Sequence, residues 1–165
     1  MSDILRLFFF VLFLTISLSA YFVSIHALFP GRVTRTRTIL QSLPGRSFGI
    51  GLVNFSFFFV IAVVLISIAD NIDNGFFKTI VMIPGLIVLG FIAIMLTFGL
   101  AATAAHVGER IMADAPWWKT TLWGSVCLSL ACALPFVGWF LFFPYIGLTG
   151  IGAFILGVFQ REPKP

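Results

Sequence analysis

From Thr120 to Phe159 the chain carries 40 residues without one charged side chain. A straight helix of that length would run to about 60 Å at 1.5 Å per residue. The hydrocarbon core of a bilayer is only about 30 Å thick, so the segment is too long to cross once and has to turn back. Pro135-Phe136-Val137-Gly138-Trp139 is the punctuation near its middle. Proline blocks helix continuation, glycine permits a tight turn, and tryptophan suits the membrane interface. The segment therefore reads as a helical hairpin, with spans at about 118–135 and 139–160. Pro144 kinks the second span or marks its start.

Three further apolar runs precede it, at about 7–29, 48–69 and 76–105. Pro84 falls early in the third, where a kink is tolerable in a membrane helix. Of 165 residues, 60% are hydrophobic and 10% charged. Soluble domains run to about 45–50% apolar and about 25% charged, and so small a body cannot hide the excess. A soluble domain is excluded, and so is disorder, which needs low hydrophobicity and high net charge. The fold class that follows is all-α: one membrane domain over 1–165, a polytopic bundle of five transmembrane helices, or four if the last segment is not a hairpin. The first run exceeds the roughly 7–15 residues of a signal-peptide core and continues past Ser17-Leu18-Ser19-Ala20, so it reads as a retained helix.

Charge sets the orientation. The segment 30–47 reads as an Arg-rich loop, with Arg32, Arg35, Arg37 and Arg46 and no acid. With five spans it shares one side with the 109–119 loop and the tail, and that side holds eight of the ten Lys and Arg. The positive-inside rule places it in the cytoplasm and the N-terminus outside, as in a bacterial inner membrane. The threonines between these arginines disfavour a robust helix. The loop is expected to lie along the headgroups, with arginines on anionic phosphates or on a partner and with Ile39 and Leu40 dipping in. The net charge of +4 then reflects cytoplasmic loops rather than nucleic-acid binding, for which no module signature exists.

Few residues suggest chemistry. His26 and His106 sit at similar depth near the cytoplasmic helix ends, and two histidines from two helices can hold a b-type haem. Glu109 can orient His106. His26 has only Ser24 nearby, so no cofactor is expected. Asp70 and Asp73 are too few for a calcium site, and Asn74-Gly75 supplies a turn with positive φ. Cys127 and Cys132 fall on different helix faces and no metal spacing exists. Asn54 is a candidate for bonding across helices. Ser125, Ser129 and Ala133 form one small-residue stripe and Thr149, Ala153 and Gly157 another. Such stripes let helices approach closely, here as a tight antiparallel hairpin or, alternatively, with one stripe facing another protein. No catalytic motif is present, and no charge lies mid-membrane, which argues against ion-coupled transport.

Leu43-Pro44-Gly45-Arg46-Ser47-Phe48 running into Gly49-Ile50-Gly51, then Leu134-Pro135-Phe136-Val137-Gly138-Trp139 and Gly147-Leu148-Thr149-Gly150-Ile151-Gly152-Ala153, resemble the membrane region of bacterial polymer-forming, bactofilin-like cytoskeletal proteins. The resemblance covers roughly 28–160. It implies a membrane anchor or scaffold module without the soluble β-helical polymerising domain, and no catalytic residue. The function expected is thus a non-enzymatic membrane scaffold or accessory subunit, with other membrane subunits or further copies of itself as partners. The alternatives are a haem- or pigment-carrying redox subunit using His26 and His106, and a small-solute channel or transporter, which the absence of a polar stripe disfavours.

Overall fold

A computed structural model describes residues 2–134 and 136–159, with side chains from Leu5 onward. The described residues form helices without a strand: α1 (Ser2–Leu28), α2 (Pro30–Ser42), α3 (Pro44–Asp70), α4 (Gly75–Ile111), α5 (Trp117–Ala133) and α6 (Phe143–Phe159), the last preceded by a π-helical turn, Val137–Phe142. Four stretches are long and apolar enough to cross a membrane: Leu5–Leu28, Pro44–Asp70, Gly75–Ile111, and the π turn with α6, Val137–Phe159. α5 has 17 residues, about 25 Å, which is short of the hydrocarbon thickness on its own.

Local chemistry accounts for the helix ends. Pro30 and Pro44 stand at the first positions of α2 and α3, where a missing N–H costs nothing and φ is already helical. The Asn74 side chain accepts a hydrogen bond from the Phe76 amide and caps α4. That corrects the expected positive-φ turn: Asn74 has φ −82° and no glycine has positive φ. Pro144 has no N–H, and in a straight helix its ring would strike the carbonyl one turn earlier. The chain widens into the π turn just before it, where such bulges relieve this conflict.

The segment 30–47 is not a loop. Most of it is α2, and the expectation fails for a physical reason. Thr36 and Thr38 donate back to the carbonyls of Arg32 and Thr34 at 2.8 and 3.0 Å, so their hydroxyls are satisfied inside a helix. Val33, Thr36 and Ile39 form a buried face packed on α4 and α6. Tertiary packing outweighs the few tenths of a kcal/mol by which threonine disfavours a helix.

α4 is the centre of the bundle and touches every other helix. Its run Ala101–Ala105 is buried, and the small side chains let neighbours approach. Gly99 lies against Gly150, so α4 and α6 meet backbone to backbone. On the other side a Cβ on Gly124 would collide with the Ala104 carbonyl oxygen, and one on Gly108 with that of Thr120. These contacts fix directions. α5 runs antiparallel to α4, α6 runs parallel to it, and α3, through Gly51 near Leu148 and Ser47 near Gly152, runs antiparallel to α6. Phe98 stacks on Phe154 at 5.0 Å, with Phe22, Met95 and Leu128 around them.

The tight α5–α6 hairpin is therefore not formed: each helix packs on α4 and they barely touch each other. The turn explains it. Phe136, not a glycine, takes the left-handed backbone, at φ 65°, and with the π turn it carries the chain past α4. Gly138 instead sits tight against the Ala131 and Cys132 carbonyls, at 2.6 Å from where its Cβ would be. Pro135 lies outside the described residues. Of the stripes, Ser125, Ser129, Thr149, Ala153 and Gly157 are buried and Ala133 is exposed. Gly157 faces Ile39 and Arg35 of α2.

Candidate functional site

α1, α4 and α6 end, and α3 and α5 begin, at one end of the bundle, where α2 lies across it. Six of the described cations gather there: Arg32, Arg35, Arg37, Arg46, Arg110 and Lys119. The opposite end has Arg6 and Lys78, with Asp70 and Asp73; Arg161, Glu162 and Lys164 lie outside the described residues. At this basic end the polar side chains converge.

His26, near the end of α1, is 5% exposed. Its Nδ1 lies 2.6 Å from Thr121 Oγ1 on α5, and its ring meets the Trp117 indole edge-on at 5.2 Å. Thr121 also bonds the Trp117 carbonyl at 2.9 Å. A hydroxyl has one proton and a carbonyl has none to give, so Thr121 donates to Trp117 and accepts from His26. Nδ1 of His26 therefore carries a proton and, in the neutral ring, Nε2 holds the lone pair.

Two rungs join α2 to α4. Arg37 Nη1 donates to Glu109 Oε1 at 2.6 Å, and Gln41 Nε2 donates to His106 Nδ1 at 2.9 Å. Arg37 and Gln41 are four residues apart and Glu109 and His106 three, so each pair shares a helix face. The neutral His106 thus has the opposite tautomer from His26, with its lone pair engaged by Gln41 and its proton on Nε2. A bis-imidazole site needs a lone pair from each ring. His106 directs its own at an amide. Glu109 serves Arg37 rather than His106, and Thr121, 95 residues away in sequence, serves His26. Ser24 bonds only the Ala20 carbonyl of its own helix.

The four arginines expected to meet lipid or a partner divide in two. Arg32 and Arg46 are exposed. Arg35 is half-buried beside Gly157. Arg37 is held by Glu109, its side chain 22% exposed and its Nε buried without a partner. Asn54 does not bond across helices; it donates to the Ile50 carbonyl one turn back. Asp70 pairs with Lys78 at 2.9 Å. Cys127 and Cys132 are free and half-buried. Among the described residues no three of His, Cys, Asp and Glu group so as to hold a metal.

Sequence reasoning did not find Thr121, Trp117 or Gln41. Only Gln41 had a local signal, its four-residue spacing from Arg37. No protein-family model, curated protein or solved structure matches the chain.

Proposed function

We propose that this chain is a non-enzymatic scaffold or accessory subunit of a larger complex in a bacterial inner membrane. In this reading five helices cross, the N-terminus is outside and the C-terminus is in the cytoplasm. One observation supports the role above others: at the basic end the side chains with catalytic potential are engaged with one another. His26 with Thr121 joins α1 to α5, and Arg37 with Glu109 and Gln41 with His106 join α2 to α4. Such a cluster fixes shape. It leaves Arg32 and Arg46 outward as the natural contacts for anionic headgroups or a partner. The alternating helix directions, with α5 closely packed along α4, support five crossings, and the positive-inside rule then gives the orientation. The resemblance to the membrane region of bactofilin-like proteins points to the same anchoring role.

Reporter fusions test the topology. Fusion at Pro165 should be active only in the cytoplasm, and fusion in the Asp70–Gly75 turn only outside; the reverse pattern sinks it. Purification from native membranes in mild detergent tests the role. A companion chain at fixed stoichiometry is expected, weakened by Arg32→Glu with Arg46→Glu. A lone monomer, or a Soret band lost on His26→Ala and on His106→Ala, would overturn it.

A further inference from the structure

The end opposite the cations holds a cavity of about 440 Å³ between α1, the end of α5 and the π turn. One face of α1 forms a wall: Leu7, Phe10, Val11, Leu14, Thr15 and Leu18, at the three- and four-residue spacing of a single helical stripe. Ser129, Cys132 and Ala133 of α5, with Trp139 and Phe143, form the other. No charged side chain lines it.

Shape and surroundings narrow the occupant. Leu7 to Leu18 covers about 16 Å of helix. A cavity of about 440 Å³ lined over that length is drawn out along α1, a shape that suits an extended hydrocarbon chain rather than a compact solute. Leu7, Phe10 and Trp139 on its rim are 64, 64 and 73% exposed, so the slot opens sideways, toward lipid when these helices are in a membrane. Thr15, part of its wall, is 7% exposed with no partner for its hydroxyl. Ser19, one turn on, is in the same state, whereas Thr36, Thr103, Ser125 and Thr149 each bond a carbonyl of their own helix.

We propose that this slot binds one acyl chain of a membrane lipid, lying along α1 with its headgroup at the Leu7–Trp139 rim and its methyl end near Leu18. The uncharged wall excludes a headgroup or a carboxylate from the interior, because an ion there would be desolvated without a counter-charge. Trp139 at the mouth suits the headgroup level. The bound chain completes the α1–α5 interface.

A phospholipid carrying a diazirine midway along one chain provides the test, with the full-length protein in nanodiscs. On illumination, adducts should concentrate on Thr15, Cys132 and Ala133. Ala133→Phe, which places a ring in the slot from an exposed position, should cut those adducts at least about fivefold, and Leu14→Phe should do the same. An unchanged melting temperature shows that each variant is folded. Native mass spectrometry should retain one lipid on the wild type and none on the variants. Adducts spread over the outward faces of α3 and α4 in proportion to exposure would overturn the proposal. So would an undiminished slot yield in either folded variant, or a retained molecule that is not a lipid.

Discussion

The two ends of this bundle are held by different means. At the basic end α2 closes over α4 and α6, and side-chain bonds run between helices: His26 to Thr121, Arg37 to Glu109, Gln41 to His106. At the far end the helix hydroxyls bond mainly to their own backbone or to nothing. The inter-element ion pair there, Asp70 with Lys78, is exposed, at 64 and 40%. Of these, His26–Thr121 is buried and Arg37–Glu109 half-buried, so breaking either leaves a shielded group unsatisfied; Gln41–His106 is exposed. Breaking an exposed pair does not. The contrast separates an end where side chains bond between helices from an end that carries the aromatic rim and the slot.

The largest effect should come from the backbone contacts that support the basic end. Gly124→Leu drives a side chain into the Ala104 carbonyl, and should cost more than about 3 kcal/mol, beyond ordinary overpacking, abolishing the thermal transition in detergent. Gly90→Leu, with open space at its Cβ position, should melt like the wild type. Next, Thr121→Val removes the acceptor of a 5%-exposed imidazole and should lower stability by about 1–3 kcal/mol, read as the melting temperature by Trp fluorescence. Glu109→Gln keeps shape but removes charge from a half-buried pair and should cost about 1 kcal/mol. Asp70→Asn, at the far end, should stay within about 0.5 kcal/mol. If Asp70→Asn proved as costly as Thr121→Val, the contrast between the ends would fail.

Much of this was legible in the sequence because hydropathy and charge act through strong, local rules. Length and hydropathy place α1, α3, α4 and α6, charge separates the ends, and the 135–139 punctuation falls between α5 and α6. What was missed depends on distant partners. Thr36 and Thr38 argue for a loop until their hydroxyls find carbonyls one turn back and Ile39 finds α6. The small stripes of α5 and α6 state that something approaches closely without stating what. Complementary stripes suggested each other, but α5 packs on α4, and α6 packs on α3 and α4 with Gly157 against α2. His26 and Thr121 share no local signature at all. Phe136 in a left-handed backbone runs against the steric preference of a bulky residue, so no residue-type rule would assign it the role expected of Gly138.

α2 has a consequence for synthesis. It leaves the ribosome early, joined to α1 and α3 by the single residues Phe29 and Leu43, yet it packs chiefly on α4 and α6. Ile39 meets Gly157, which is made about 120 residues later, a delay of roughly 6–24 s at 5–20 residues per second. Arg37 can pair once Glu109 of α4 is made, but Ile39 lacks its contact on α6 until the end, so one face of α2 stays uncovered until the last helix arrives. Covering the α2 face that meets α6 is thus the final step of assembly. A chain stalled or cut before α6 would leave this face uncovered, a signal by which an incomplete product differs from a finished one.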